Sequence, residues 1–554
     1  MQGDIVYVGI DLGTTFSSIA FYDPQTEKEF VIKTVGEEDS IPSVVSLSPI
    51  QCLVGKEAIK QPGRENVIFE VKRFMGKNYD ETNEELMNLI KKSPNKIISN
   101  ENGMIRVEIS HPKGNNMKET LILSPEQVSA IILLQLKKFF MRKFPGKTLR
   151  AVVGVPAMFG TNERKATENA VKMAGIELVS LINEPTAAAK AYQMNDGLLF
   201  VFDFGGGTLD ISILEYSDSN SKVITSRGDS MLGGNDIDYN IMKLLMEKVR
   251  KIGTEDLFYS DEEIDEIIEK RIRFFKEKAE EMKKDLSIVY ERDRMNSIVV
   301  TDCGFLGKEY EEMFEDEEIS MTYLEFKKIN EDVFKRCRKL IDKALEESGK
   351  DKNEITKVLM VGGSCKCPEV KTLLSDYFGS QVIDTNHTDF DLMVCKGLAR
   401  FALKLRHDVH CVNESFGDVT SKKISMVVKD EFGNDIFQKI FGKNRPVPCK
   451  EIVEVTNSYD MQTSIPIIIC EDGVEISRFI MHNVPPMKQG YVKIEIVFEI
   501  KNDGKLYVTG KLVEPAHYQT SVNGVCTPSI YNVNDEELKC QQETVLKLFN
   551  FGNK

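Results

Sequence analysis

The chain builds one short unit twice: an apolar strand, an aspartate, a glycine turn with threonine, and a second strand. The first copy holds Asp11-Leu12-Gly13-Thr14-Thr15, and the second holds Asp203-Phe204-Gly205-Gly206-Gly207-Thr208. Glycines let backbone N–H groups approach an anion, and threonine hydroxyls can bind phosphate oxygens. A neighbouring aspartate can hold a hydrated Mg²⁺. Either turn alone could be an ordinary connection between strands, but the matched pair predicts a site that binds a nucleoside triphosphate from two sides.

A third glycine turn supports this interpretation. Gly362-Gly363-Ser364 follows an apolar run at 357–361 and precedes a predicted helix at 368–374. A turn of this kind lets a nucleotide lie near a helix N-terminus. Gly146-Lys147-Thr148 resembles the end of a P-loop, but that motif requires a glycine where Met141 stands. The sequence therefore excludes a P-loop.

Composition limits the classes of function. A chain of 554 residues with 41% hydrophobic residues should hold several globular domains, and a net charge of 72 − 87 = −15 argues against a general nucleic-acid binder. The N-terminus enters a strand at once, and the apolar runs are too short to span a membrane, so we expect neither a secretory signal nor a membrane anchor. Eleven cysteines without zinc-type spacing are typical of reduced thiols, which predicts a cytoplasmic location. Cys365-Lys366-Cys367 is a weak redox candidate that small loop residues explain more simply.

Periodicity divides the chain near residue 406. Before it, strand-like and helix-like runs alternate, which is typical of an α/β architecture. Ser124 and Gln127 predict a capping box that opens a helix at 128–144. We also predict an exposed, salt-bridged helix at 262–285 and a single amphipathic helix at 326–347.

After residue 420 the pattern changes to short strands separated by turn signals, which predicts an all-β sandwich. The predicted strands lie at 424–428, 451–456, 464–470, 491–500 and 505–513. One helix, at 534–549, follows them.

Seven segments in fixed order carry a resemblance that runs almost end to end. They are Gly9-Ile10-Asp11-Leu12-Gly13-Thr14-Thr15, Val71-Lys72-Arg73, Ala151-Val152-Val153-Gly154-Val155-Pro156-Ala157, Ile182-Asn183-Glu184-Pro185-Thr186-Ala187-Ala188-Ala189, Phe202-Asp203-Phe204-Gly205-Gly206-Gly207-Thr208-Leu209-Asp210, Leu232-Gly233-Gly234 and Val361-Gly362-Gly363-Ser364. Together they resemble the seventy-kilodalton heat-shock chaperone family, as a divergent member with a truncated lid.

The resemblance implies an α/β actin-like two-lobed ATPase domain at 1–405, a linker at 406–419 and an all-β sandwich peptide-binding domain at 420–514. A short C-terminal tail at 515–554 would carry a truncated lid helix. The implied function is an ATP-dependent chaperone that binds extended apolar segments of unfolded proteins, assists their folding and hydrolyses ATP slowly with Mg²⁺.

The resemblance also implies a role for each matching residue. Lys72 would contact the γ-phosphate and the attacking water, Glu184 and Asp203 would orient waters with Asp203 as the base, and Thr208 would steady the γ-phosphate. Asp11, Asp203 and Asp210 would surround the Mg²⁺, and K⁺ is a further candidate ion. The implied ATP and ADP contacts are Gly13, Thr14, Thr15, Gly205, Gly206, Gly207, Gly233, Gly234, Glu280, Lys283, Lys284, Ser287, Gly362, Gly363, Ser364, Lys366 and Asp391.

Three features depart from the family pattern. Lys366 replaces an arginine that stacks on adenine, Asn413-Glu414-Ser415 replaces a run of leucines in the linker, and the lid is nearly absent. A lidless non-foldase member, ribosome-associated or co-chaperone-like, that binds ATP without client cycling therefore stays open as an alternative. A sugar kinase or cytoskeletal ATPase is a third reading, and the β module counts against it. Expected partners are unfolded polypeptides, a J-domain co-chaperone and a nucleotide-exchange factor, with neither nucleic acid nor membrane.

Overall fold

The computed structural model describes residues 5–48, 51–60, 66–113, 117–192, 194–217, 220–253, 260–293, 297–306, 310, 314, 317–384, 389–407, 419–430, 432–501, 504–516, 518, 520–526 and 535–550. The first eighteen strands are β1 (Ile5–Leu12), β2 (Phe16–Asp23), β3 (Lys28–Val31), β4 (Ile41–Pro42), β5 (Val45–Ser48), β6 (Gln51–Val54), β7 (Val67–Ile68), β8 (Lys96–Ser99), β9 (Ile105–Lys113), β10 (Met117–Leu123), β11 (Thr148–Val155), β12 (Glu177–Asn183), β13 (Gly197–Phe204), β14 (Leu209–Ser217), β15 (Asn220–Asp229), β16 (Ile298–Asp302), β17 (Glu318–Thr322) and β18 (Ile355–Val361). The helices are α1 (Lys56–Ile59), α2 (Glu84–Lys92), α3 (Pro125–Lys143), α4 (Thr161–Met173), α5 (Glu184–Tyr192), α6 (Gly234–Lys251), α7 (Asp261–Asp293), α8 (Tyr323–Ile329), α9 (Glu331–Ser348), α10 (Pro368–Phe378), α11 (Met393–His407) and α12 (Asp535–Asn550).

Two sheets of related topology form two lobes in the part of the chain before residue 408. The first lobe (residues 5–192 and 393–407) holds a sheet of order β12-β11-β1-β2-β3, and the second lobe (residues 197–384) holds a sheet of order β15-β14-β13-β18. In each sheet the strands flanking the glycine turn form an antiparallel hairpin, and a later strand joins the first of them in parallel. The repeated sequence unit thus becomes a repeated fold unit, which confirms the predicted actin-like α/β architecture.

Two helices pack at the junction of the lobes. Helix α11 lies against β1 and against α5. A Cβ at Gly9 would collide with the backbone of Ala399, and a Cβ at Gly397 would collide with the backbone of Ala187. Both glycines are therefore required by close approach of the main chain. This packing brings the ends of β1 and β13, and thus both glycine turns, to one side of the junction.

Helix α3 has the predicted capping box: Ser124 Oγ accepts from the Gln127 N–H, and Gln127 Oε1 accepts from the Ser124 N–H. Two other helix predictions were wrong in part. Helix α7 extends to Asp293 and buries one face, including Phe275 and Leu286, so it is not merely an exposed helix. Its few apolar residues share one stripe that packs on the second lobe's core.

The helix predicted at 326–347 is two helices, α8 and α9. Asn330 separates them and is fully buried. Its side-chain amide donates to the Phe326 carbonyl at 2.9 Å, and its carbonyl accepts from Asn240 at 3.0 Å. An asparagine side chain that bonds the backbone competes with the helical pattern and ends α8.

The last eight strands form a β-sandwich. They are β19 (Ile424–Lys429), β20 (Asp435–Phe441), β21 (Cys449–Thr456), β22 (Ile465–Glu471), β23 (Val474–Met481), β24 (Lys493–Ile500), β25 (Leu506–Glu514) and β26 (Ser521–Val525). One sheet has the order β20-β19-β22-β23 and the other β21-β24-β25-β26. Inward residues such as Ile467, Ile496 and Phe498 form the core between them. All five predicted strands are present, whereas β20, β23 and β26 were missed.

Strand β26 lies beyond the predicted end of the sandwich at residue 514, and it pairs with β25 in the second sheet. Helix α11 continues to His407, one residue past the predicted start of the linker at residue 406. Residues 408–418, with the altered Asn413-Glu414-Ser415 segment, lie outside the described residues.

The C-terminal helix α12 exists as predicted but lies on the ATPase part. It packs against α3 and α4, and the side chains of Val545 and Phe549 are buried in the core of the first lobe. Among the helices of the described residues, none combines the length and the apolar character that crossing a bilayer requires.

Candidate functional site

The first and second glycine turns (residues 13–15 and 205–208) face each other across a cavity of about 380 Å³. They touch closely: a Cβ at Gly206 would collide with the Thr15 hydroxyl, and one at Gly207 would lie 2.8 Å from Thr14 Cγ2. The Thr15 hydroxyl is buried and has no hydrogen-bond partner among the described residues. A phosphate oxygen at this point would supply the missing partner.

The N-terminus of α6 and the third glycine turn (residues 362–364) complete the same wall. The Gly234 N–H donates to the Gly205 carbonyl at 3.0 Å, and the Asn235 N–H donates to the Gly206 carbonyl at 2.9 Å. The Ser364 hydroxyl also donates to the Gly205 carbonyl, at 2.9 Å. Four separate chain segments therefore meet at one cavity, and the N-terminus of α6 among them is a favourable setting for an anion.

Three aspartates lie around the base of the cavity. Asp11 is near the end of β1, Asp203 lies near the end of β13, and Asp210 is near the start of β14. Removal from water, reinforced by the charge of Glu184, raises the pKa of Asp11 to about 7 and that of Asp210 to about 7. The same two causes raise the pKa of Asp203 well above its usual value. A bound cation would stabilise the charged form of such a group of buried carboxylates.

The carboxylate group is suited to a hydrated ion rather than to a bare one. Within the described part of the chain, no three acidic, histidine or cysteine side chains come close enough to ligate a metal by themselves. One carboxylate oxygen of Asp210 is buried without a hydrogen-bond partner among the same residues. The hydroxyl of Thr208 hydrogen-bonds the Asp210 carboxylate. Waters around a Mg²⁺ would satisfy the remaining oxygens, so the donor set fits the predicted ion through its outer shell.

Lys72 provides the positive charge nearest this acidic group. It lies on a short 3-10 turn, Val71–Phe74, whose four residues are all buried. Its ammonium donates to Glu184 Oε1 at 2.6 Å and lies 5.8 Å from the centre of the Phe159 ring. The lysine, Glu184 and the glycine turns thus meet at one point, although Gly13 and Thr208 are 208 − 13 = 195 residues apart in the sequence.

Helix α7 lines the opposite end of the cavity with three of its charged residues and Ser287. Lys284 pairs with Glu280 at 2.6 Å, and Lys283 pairs with Asp238 at 2.7 Å. Burial lowers the pKa of Lys283, but the negative charge of Asp238 raises it more, so the pKa is raised on balance. The Ser287 hydroxyl donates to the Lys283 carbonyl at 2.9 Å. This end is polar and roomy, as a base and a ribose would require.

Lys366 forms an ion pair with Asp391 at the mouth of the cavity. Both side chains are about half exposed, at 54% and 41%. Lysine has no planar group to stack on a base, and here its charge is directed to a carboxylate. The residue is therefore present at the predicted place but cannot act as the stacking arginine that it replaces.

Most predicted site residues line this cavity. Gly207, Gly233 and Asp210 do not: the two glycines are sequence neighbours of lining residues, and Asp210 is hydrogen-bonded to the lining residue Thr208. Sequence reasoning missed Phe16, Ser17, Ser18, Ser40, Asn235, Ile237, Asp238, Cys367, Phe390 and Val394, which also line it. The positions of Asn235 and Asp238 could have been found, because they follow Gly233-Gly234 in the first turn of α6.

The close cysteine pair has the environment of structural residues. Burial raises the pKa of Cys365 well above its usual value and that of Cys367 to about 11. The Cys365 thiol lies 3.0 Å from the Val361 carbonyl oxygen. Because the thiolate is the reactive form, such cysteines are poor nucleophiles.

Comparison with known proteins decides the family. The model of the Hsp70 protein family matches residues 7–537. The chain belongs to the Hsp70 family. The chaperone protein DnaK of Thermus thermophilus is 31% identical over 516 residues, covering 91% of this chain and 78% of that protein, and the DnaK of Deinococcus radiodurans is 32% identical, covering 91% and 77%. A ribosome-associated molecular chaperone of Eremothecium gossypii is 28% identical, covering 91% and 79%.

Membership in the Hsp70 family establishes the function in general terms. The protein is an ATP-dependent molecular chaperone with an actin-like ATPase part and a β-sandwich, and it hydrolyses ATP. It binds nucleotide, and in general it binds unfolded polypeptides and works with co-chaperones. The cavity between the glycine turns is the candidate site for nucleotide binding.

Proposed function

We propose that ATP lies in this cavity with its triphosphate between the first and second glycine turns and its base toward α7. The observation that carries the proposal is the buried pair of Lys72 and Glu184 beside three aspartates of raised pKa, at the point where both turns meet. A lysine held there can neutralise charge that develops on the γ-phosphate. Thr14, Thr15 and Thr208 would donate hydroxyl hydrogen bonds to phosphate oxygens.

The acidic residues would hold the ion and accept a proton. Asp11, Asp203 and Asp210 would bind the waters of a Mg²⁺, which supplies charge neutralisation on the phosphates when bound, and K⁺ is a further candidate. Asp203 is the proposed base. A carboxylate whose pKa is raised takes a proton near neutral pH more readily than an ordinary aspartate. Glu184, held by Lys72, would orient the attacking water.

Glu280, Lys283, Lys284 and Ser287, with Gly363 on the other side, would bind the adenosine. Lys366 would act there only as a charge, since it pairs with Asp391. The base would then lack one stacking partner. We therefore expect nucleotide affinity to depend mainly on the phosphate end of the cavity.

We further propose the division into an ATPase domain, a connecting segment from about residue 408 to 419 and a sandwich domain from residue 420 to 525. The sandwich would bind extended apolar peptide, and a J-domain protein and an exchange factor would act on the ATPase domain in the cytoplasm. The second candidate is a lidless member, ribosome-associated or co-chaperone-like, that binds ATP without client cycling, and the ribosome-associated relative supports it.

The decisive experiment measures single-turnover ATP hydrolysis and nucleotide affinity in Lys72→Ala. Because the lysine acts mainly on the transition state, we expect the hydrolysis rate to fall by roughly 10²–10³ while ADP affinity changes by less than about tenfold. Lys77→Ala, a change in the next lysine along the same segment, which is half-buried, is the matched control. An unchanged rate in Lys72→Ala would remove this residue from the mechanism.

Turnover by the unaltered protein with and without an apolar peptide separates the folding chaperone from a member without client cycling.

A further inference from the structure

Arg73, the neighbour of Lys72, joins the two lobes across the nucleotide cleft. Its guanidinium donates to the Gly207 carbonyl at 3.3 Å and to Asp236 Oδ2 at 3.2 Å. Only 4% of the side chain is exposed. Both partners belong to the second lobe, whereas Arg73 belongs to the first. The contact therefore crosses the cleft between the two lobes.

Both partners of Arg73 support the phosphate side of the cavity. Gly207 is part of the second glycine turn. Asp236 accepts from the Gly233 N–H at 3.0 Å and so caps α6, whose first residues line the cavity. One planar guanidinium thus holds a glycine turn and a helix N-terminus in a fixed relation, which the fork of arginine donors suits better than a lysine ammonium does.

A second buried ion pair reinforces the contact. Glu70 precedes the turn of Lys72 in a left-handed backbone conformation, with φ of 53°. Its carboxylate accepts from Arg73 at 3.4 Å and also pairs with Lys276 of α7 in the second lobe. Burial raises the pKa of Glu70, but the positive charges of Lys276 and Arg73 outweigh this effect and lower the pKa to about 2. Separating the lobes would part Glu70 from Lys276 and leave its contact with Arg73, in the same lobe, in place.

We propose that Arg73 is a positioning residue that holds the second glycine turn against the turn carrying Lys72, and that breaking its contacts limits nucleotide release. Lys72 and Arg73 share the Val71–Phe74 turn, so the partners of Arg73 also fix where the Lys72 ammonium lies. The Nε–H of Arg73 is buried without a partner among the described residues. A Cβ at Gly207 would lie 3.2 Å from this Nε atom, which places the free donor beside the phosphate-binding turn.

The inference rests on the proposed nucleotide site, and its test uses the full chain with N-methylanthraniloyl-ADP as the probe. The variants are Arg73→Gln, which removes the charge, and Arg73→Lys, which keeps the charge but not the fork. Lys92→Gln is the matched control, because Lys92 pairs with the same Asp236 at 3.1 Å from a side chain that is 37% exposed. Release of the probe, single-turnover ATP hydrolysis and the midpoint of thermal unfolding are measured for each protein.

We expect Arg73→Gln to release the probe roughly tenfold faster or more and to hydrolyse ATP roughly tenfold slower or more. Arg73→Lys should fall between it and the unaltered protein, and Lys92→Gln should stay within about twofold of the unaltered protein. A lower unfolding midpoint with unchanged release and hydrolysis would mean a structural role only and would overturn the proposal. Equal effects of Lys92→Gln and Arg73→Gln would overturn it as well.

If Arg73→Gln does not fold, Arg73→Lys decides the question, and release and hydrolysis rates equal to those of the unaltered protein would refute the inference. Failure of the unaltered protein to bind the probe would instead refute the proposed nucleotide site. The two failures are therefore distinguishable.

Discussion

The carboxylate of Glu471, at the end of β22 in the sandwich, caps helix α4 of the first lobe through Thr161. It accepts from the Thr161 N–H at 3.1 and 3.2 Å and from the Thr161 hydroxyl at 2.5 Å. The N-cap position of α4 is Gly160, which has no side chain to do this, and a Cβ there would lie 2.5 Å from Glu471 Oε2 and 2.5 Å from Lys422 Nζ. The sandwich therefore supplies the cap that the ATPase part lacks.

This contact lies close to Lys72, the proposed catalytic lysine. The hydroxyl of Ser421 donates to the Phe159 carbonyl at 3.2 Å, and the ring of Phe159 lies under the ammonium of Lys72. Phe159, between β11 and α4, thus contacts Ser421 of the sandwich through its carbonyl and Lys72 of the candidate site through its ring.

We predict that Glu471→Ala loosens the first turn of α4. Losing a cap costs about 0.5–2 kcal/mol, and Lys422, which is largely buried beside Glu471, loses one of its acidic partners. Amide hydrogen exchange at residues 161–164 should accelerate by roughly 2- to 30-fold, and ATP should change peptide affinity less than in the unaltered protein.

The control for Glu471→Ala is Glu475→Ala, which removes a carboxylate of the next strand that pairs with Arg478 on the sandwich surface. Unchanged exchange in Glu471→Ala, or an equal change in Glu475→Ala, would show that the cap does not stabilise the docked sandwich.

Asp210→Asn should stabilise the nucleotide-free protein while impairing its activity. The pKa of Asp210 is raised from 3.8 to about 7, so the folded state binds more protons than the unfolded state between those values. Stability must therefore fall as pH rises through this window. At pH 8 Asp210→Asn should raise the free energy of unfolding by about 2–4 kcal/mol, and at pH 4 it should raise it little.

Urea unfolding without nucleotide at pH 4 and pH 8 measures this effect. Asp285→Asn, on the exposed face of α7, is the control for the chemical change itself. A gain from Asp210→Asn that is the same at both pH values would contradict the raised pKa.

Val545→Asp should detach α12 from the first lobe. Val545 is fully buried in that lobe's core, and an aspartate there would be charged without a partner. We expect the amides of α12 to lose nearly all protection from hydrogen exchange. Lys547→Asp places the same residue on the exposed side of the same helix and should change exchange little. Protected amides in Val545→Asp would place α12 elsewhere in solution.

Weak coupling between ATP and peptide stays a prediction from sequence. Burying each leucine side chain of such a run on docking stabilises the docked state by roughly 1.5–3 kcal/mol. Asn413-Glu414-Ser415 offers almost none of this stabilisation. The ratio of peptide dissociation constants with ATP and with ADP should therefore be small, and replacing the three residues with leucines should raise it. A ratio in the tens for the unaltered protein would refute the prediction.

The elements predicted correctly are those whose signals lie within a few residues. The Ser124 and Gln127 capping box fixes the start of α3, because donor and acceptor are three residues apart. The strands around Gly13 and Gly205 are equally local, since an apolar run and a glycine turn define each hairpin. The same reasoning failed for β20, whose first five residues are exposed and give no clear alternation.

The sequence by itself determined the two glycine-turn units, the resemblance to the family and many of the residues that line the candidate cavity. Only the tertiary structure decided which polar side chains meet: Arg73 with Asp236, Glu70 with Lys276 and Thr161 with Glu471 are 163, 206 and 310 residues apart. Nothing local distinguishes these side chains from polar residues on the surface. Their partners depend on how distant elements pack, and burial then makes each unpaired alternative costly, which is why the folded chain selects them.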